Sequence, residues 1–122
     1  MSQAIALVGH CNVDGPRLQR ELSASFPKVR VTRVNSVEAL EGAIGEGVDL
    51  LLVNREPVGF AEDGLTIIER VHEAHPETTV MLVSDYEDAQ AAAVSAGAVA
   101  GFGKQMMGTM EMAEVVRKAL EG

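Results

Sequence analysis

Three polar residues each close a short apolar run: Asn54 after Leu50 to Val53, Ser84 after Val80 to Val83, and Lys104 after Ala98 to Gly103. If those runs are parallel strands, their carboxyl ends share one sheet edge, where open α/β sheets place their ligand crevice. An ammonium beside a hydroxyl suits an anion. The third member decides the chemistry. A carboxylate at position 54 could attack a phosphoryl group or help to hold Mg2+, whereas the amide of Asn54 is uncharged, its nitrogen is delocalised, and it is no nucleophile. The position reads as a site and the residue as inactive.

Other candidates weigh less. His10, Cys11, Asn12 and Asp14 are all metal-type ligands, but zinc sites use several Cys or His at defined spacings and this run holds one of each. The expectation is no bound metal and no cofactor. Cys11, the single cysteine, excludes an internal disulfide; it reads as an inert thiol unless a helix N-terminus activates it. His72 and His75 share a helix face and read as solvated or dipole-paired. Ser84 could cap a helix as well as serve a site, and Lys104 could be simply solvated. Met106, Met107, Met110 and Met112 gather near the last helix. Met112 is expected in the core, the others at an adaptable surface or as gap fillers.

The elements that must position these residues follow from periodicity. Strand 1 is expected over Ala4 to Gly9, then a polar turn, with Asp14 or Gly15 capping helix 1 and Leu18, Leu22 and Phe26 at helical spacing before Pro27. Val29, Val31 and Val34 predict strand 2. Asn35 to Glu38 resembles a capping box with Asn35 as cap, and Val37, Leu40 and Ile44 form the stripe of helix 2. Strand 3, Val48 to Asn54, suits burial on both faces. Asp63 caps helix 3, with Leu65, Ile68, Val71 and His72 on one side. Thr79 to Ser84 is strand 4. Ser84 or Asp85 caps an Ala-rich helix 4 that stops at Gly97; Ala98 to Gly103 is strand 5. Helix 5 runs from Met107 to Leu120, with Met112, Val115, Val116 and Leu120 inward. Five such units predict an open parallel sheet covered on both faces, since a barrel would need about eight.

Composition agrees with one domain over residues 1–122. The chain is 47% hydrophobic but only 3% aromatic, so Val, Leu, Ile, Ala and Met must fill the core. A net charge of -8, with 10 scattered Lys and Arg, disfavours direct nucleic-acid contact. No apolar run reaches the roughly 18 residues of a membrane span, and a cytoplasmic location without membrane contact is the expectation.

Taken together, Asp49 to Asn54, Asp63-Gly64-Leu65, Val80 to Ser84, and Ala96-Gly97-Ala98 followed by Lys104 resemble the receiver domain of bacterial two-component response regulators, over essentially the whole chain. The resemblance implies a flavodoxin-like (βα)5 three-layer sandwich with sheet order 2-1-3-4-5. It implies that Asn54 stands where the family has its phosphoacceptor aspartate, that Ser84 and Lys104 match the residues contacting the phosphoryl group, and that Gly9 and His10 occupy the place of the Mg2+-binding acidic pair. Gln105 replaces the proline that usually follows the lysine, so the family's cis peptide is not expected. Gly101 stands where a switch aromatic is common, with Phe102 one position late. The loop between Asn54 and Asp63-Gly64 is about two residues longer than the family pattern. These departures resemble a degenerate receiver, or pseudo-receiver.

The functional expectation is a non-enzymatic signalling module, outside the ordinary phosphorelay at residue 54. It would act on a protein partner, whether a histidine kinase, an output domain or a second copy in a homodimer, through helix 4, strand 5 and helix 5. Two rivals are a small-molecule or anion-binding module using the same crevice, and a receiver phosphorylated on an unusual residue. On charge grounds, Asn54→Asp alone should restore little, and adding Gly9→Asp and His10→Asp should improve Mg2+ binding markedly over the single change.

Overall fold

A computed structural model describes residues 3–122. Strands and helices alternate: β1 (Ala4–Val8), α1 (Asp14–Ser25), β2 (Arg30–Val34), α2 (Val37–Gly45), β3 (Leu50–Asn54), α3 (Gly64–Ala74), β4 (Val80–Val83), α4 (Glu87–Ser95), β5 (Val99–Phe102) and α5 (Met110–Glu121). All pairings are parallel and the order is β2-β1-β3-β4-β5, the flavodoxin-like arrangement.

The central strand explains the layering. Every residue of β3 is buried, and alternate side chains enter opposite faces. Leu50 and Leu52 join Leu18, Leu22, Met112 and Val116 beneath α1 and α5. Leu51 and Val53 join Leu40, Ile67, Ile68, Val71 and Ala93 beneath α2, α3 and α4. Burying each of these leucines contributes about 1.5–3 kcal/mol, so β3 anchors both cores and fixes the height of Asn54 at the sheet edge.

Several local expectations are corrected. Neither Asp14 nor Gly15 caps α1: Val13 holds the cap position without a side-chain bond, and Asp14 already lies in the first turn. Ser36, not Asn35, caps α2, its Oγ accepting from the Ala39 N–H at 3.1 Å. Val37 is 53% exposed, outside the stripe, because Leu40 and the half-buried Ile44 seat the helix. In α3, Asp63 accepts from the Thr66 N–H at 2.9 Å as expected, but Ile67 takes the buried place assigned to His72, which is exposed. Tyr86 holds the cap position of α4, so neither Ser84 nor Asp85 caps it. The last helix begins at Met110, because Gly108 with φ +82° breaks the chain and Thr109 caps the new start. A 3-10 turn over Lys104–Met106 precedes it. Met107 is therefore outside the helix and buried, Met106 packs against the core, and only Met110 projects, 84% exposed.

Candidate functional site

The carboxyl ends of β3 and β4 and the segment after β5 line a crevice of about 600 Å³, and Asn54, Ser84 and Lys104 all face it. The predicted convergence holds. How each side chain is used differs from a phosphoacceptor site.

Asn54 is buried at the end of β3. Its Nδ2 donates to the Gly9 carbonyl at 3.0 Å and to the Glu56 carbonyl at 3.2 Å. Carbonyls only accept, so this position needs a donor. A carboxylate here would face two acceptor oxygens, which disfavours its charged form.

Gly9 adopts φ +72°, a left-handed conformation suited to glycine, and a Cβ there would lie 2.2 Å from the Pro57 Cβ. The loop is drawn in further by the Val58 N–H, which donates to the Gly9 carbonyl at 2.8 Å. Pro57 thus covers the place an acidic side chain would need. This contact opposes the expectation that Gly9→Asp would help to build a Mg2+ site.

His10 turns inward. It is 1% exposed, and its Nε2 lies 2.9 Å from the Leu52 carbonyl, which requires the Nε2–H tautomer. Nδ1 has no partner among the described residues. Burial first, with the charges of Lys104 and Arg33 adding to it, holds the imidazole below its ordinary pKa and outweighs the Leu52 bond and Asp14. It sits neutral in the core, not in the crevice.

Lys104 Nζ lies 2.9 Å from Asp14 Oδ2, and this hydrogen bond holds the Asp14 carboxyl below its usual range. The cation of the site thus already has an anion, supplied by the first turn of α1. Ser84 Oγ accepts from the Tyr86 N–H at 3.2 Å, a local turn bond that leaves the hydroxyl hydrogen free. The Tyr86 ring carries the Arg55 guanidinium at 4.7 Å, and Arg55 also pairs with Glu56 at 3.1 Å.

The divalent cation that the receiver resemblance implies does not fit these residues. Gly9 offers no ligand, His10 is committed beneath the edge, Asn54 presents its nitrogen to carbonyls, and Asp14 is held by Lys104. Among the described residues no cluster of three or more His, Cys, Asp or Glu is placed to hold a metal ion.

Four supporting residues carry no site role in the sequence reading. Arg33, on β2, reaches across with Nη2 to the carbonyls of His10 (3.1 Å) and Cys11 (3.3 Å) and to Asn12 Oδ1 (3.2 Å), fixing the β1–α1 loop. Gln90 Nε2 contacts the carbonyls of Leu82 (2.9 Å), Ser84 (3.0 Å) and Phe102 (3.3 Å). It staples β4 to β5 where their register shifts. A Cβ on Gly101 would lie 2.1 Å from the Leu82 carbonyl oxygen, so the pairing leaves no side-chain space there. Asp85 Oδ1 accepts from the Gln105 N–H at 3.2 Å. That bond needs an N–H and gives Gln105 a reason to replace proline; no peptide among the described residues is cis. Pro57 is the fourth. Asp14, expected as a helix cap or a metal-type ligand, instead pairs with Lys104.

No protein-family model matches the chain, and no curated protein matches its sequence. Solved structures do match in fold. A response regulator from Thermotoga maritima superposes with TM-score 0.81 at 21% identity, covering 100% of both chains. The signal receiver domain of a DNA binding response regulator protein (merR) from Colwellia psychrerythraea 34H gives 0.79 at 17%, covering 99% of this chain and 100% of the other. NtrX from Brucella abortus gives 0.83 at 21%, covering 99% of this chain but 27% of the NtrX chain. The chain has the fold of response-regulator receiver domains.

Proposed function

We propose that this chain is a receiver-fold signalling module that does not accept a phosphoryl group at residue 54 and acts by protein contact. The observation that carries the reading is the pair of hydrogen bonds from Asn54 Nδ2 to the Gly9 and Glu56 carbonyls. The backbone around the acceptor position is arranged for a donor, so the amide belongs to the architecture. The chemistry agrees. Phosphoryl transfer at residue 54 needs a carboxylate nucleophile and a metal cation to offset developing charge; Asn54 is no nucleophile, and the residues around it do not suit a divalent cation. No catalytic role is assigned to any residue.

On this reading, transmission runs through a partner: a histidine kinase, an output domain or a second copy. The α4–β5–α5 side is the proposed contact, because Tyr86, Val94, Val99 and Met110 are large exposed apolar side chains on it. A cytoplasmic location fits a module of this kind; among the described residues no helix is long and apolar enough to cross a membrane. The rival anion-binding reading is weakened by Asp14, which already answers Lys104.

The direct test is incubation of the purified chain with acetyl phosphate and Mg2+, followed by intact-mass measurement. The expected result is no phosphoryl adduct. Efficient labelling at Glu56, Asp85 or another residue lining the crevice, or at Asp14 beside Lys104, would overturn the reading.

A further inference from the structure

A second cleft, of about 550 Å³, lies away from the strand ends, between α2 and α3. Its floor is Leu40, Ile67 and Val71, and its side walls are Val37 and Phe60. The loop after β3 builds one wall. Pro57 is pinned against Gly9, and Gly59, at φ +88°, passes so close to the Asn35 carbonyl oxygen that a Cβ would lie 1.9 Å from it. Those two contacts deliver Phe60 to the side of the second core, against which it packs. The cleft is therefore preformed.

Its rim is acidic. Glu41, Glu62 and Glu73 face it, against one permanent cation, Arg70, which is paired with Glu62. His75, at the end of α3, lies 3.7 Å from Glu41 and links the two helices across the cleft. Glu73 has no ion-pair partner among the described residues. An apolar floor beneath a rim of three carboxylates against one permanent cation, in a chain of net charge -8, selects a partner that is apolar on one stripe and cationic on its flanks. The cleft lies between two helices. A furrow of that kind accepts the side chains of a helix laid into it better than it encloses a small molecule.

We infer that the α2–α3 cleft is a docking groove for a basic amphipathic helix of a protein partner. The inference does not depend on whether residue 54 takes phosphate, and the groove is separate from the α4–β5–α5 side. The occupant seats two or three aliphatic side chains over Leu40, Ile67 and Val71, with Lys or Arg on its flanks toward Glu41 and Glu73. The apolar area is small, so the contact is weak and transient on its own.

The test uses two synthetic peptides of about 15 residues with Leu at helical spacing, one with Lys and one with Glu at the polar positions. Each is titrated into the isotope-labelled chain, and amide shifts are mapped. The expected result is saturable binding of the Leu/Lys peptide with shifts centred on Val37, Phe60 and Ala74, and none of comparable strength for Leu/Glu. Val37→Lys, at a half-exposed wall position, should weaken binding about tenfold or more, whereas the charge-matched Ser23→Lys, at an exposed position of α1, should leave it unchanged. Shifts centred elsewhere, equal binding of both peptides, equal weakening by the two variants, or no binding at millimolar peptide would each overturn the inference.

Discussion

The amide at residue 54 and the imidazole at residue 10 carry opposite lessons about polar groups at a sheet edge. Asn54 has its donors met by two carbonyls, so Asn54→Asp exchanges two hydrogen bonds for charge facing oxygen. The expected cost is about 1–3 kcal/mol near neutral pH, read as a lowered urea midpoint. The variant's carboxyl pKa should be raised by the same carbonyls, so the deficit shrinks as pH falls toward 4 and protonation restores one donor. A midpoint equal to the wild type at neutral pH would contradict the donor requirement. His10 is buried neutral with its pKa depressed by burial. A depressed pKa makes its contribution fully present above the ordinary value of 6.5 and lost as pH falls below it, because only the unfolded chain takes the proton readily. The wild-type urea midpoint should therefore drop between pH 7.5 and 5.5. His10→Gln keeps a donor for the Leu52 carbonyl without a titrating ring, and should flatten that drop; an unchanged slope would remove His10 as its source. The depressed Asp14 carboxyl acts lower, losing its share below about pH 4. Of these roles, the sequence announced that residue 54 is no nucleophile. It could not announce the two carbonyl acceptors, because backbone oxygens carry no residue identity.

Among elements, apolar runs and capping residues located all five strands and five helices, and the errors fall where local signals compete. Met107 continued the apolar period of the last helix, yet the Gly108 turn and Thr109 cap cut the helix off at Met110. Asn35 and Ser36 are both good caps, and neighbouring residues decided between them. Long-range contacts were illegible for a different reason. Nothing near Gly9 in the chain points to Pro57, and nothing near Arg33 points to the loop it ties down, because both pairs form only once β1 has two neighbours. The Gly9–Pro57 contact gives a sharp expectation. Gly9→Ala adds one methyl group but combines a left-handed backbone with a clash against a proline held on both sides, so it should cost about 2–4 kcal/mol by urea unfolding. A loss under about 0.5 kcal/mol would mean that the loop yields freely. The same substitution at Gly42, which has open space around it, makes the matched control.

At the scale of the whole molecule, the parallel sheet made the site legible before any side chain was placed, since it gathers all strand ends on one edge. Net charge and burial pattern then separate the surfaces. The edge strand β5 shows Val99 and Ala100 to solvent and the start of α5 shows Met110, away from the acidic cleft between α2 and α3. If this side is the contact surface, sedimentation should show concentration-dependent association that Val99→Lys with Met110→Lys reduces. A strictly monomeric wild type over a wide concentration range, with no partner shielding these residues, would count against it. The ion pair between Lys104 and Asp14 has a further consequence for how this molecule meets its surroundings. An anion arriving from solution competes with a carboxylate tethered a few ångströms away, whose effective concentration is on the order of millimolar or more. The same pair ties the first turn of α1 to the segment after β5, so an anion that displaced Asp14 from Lys104 would also release that tie.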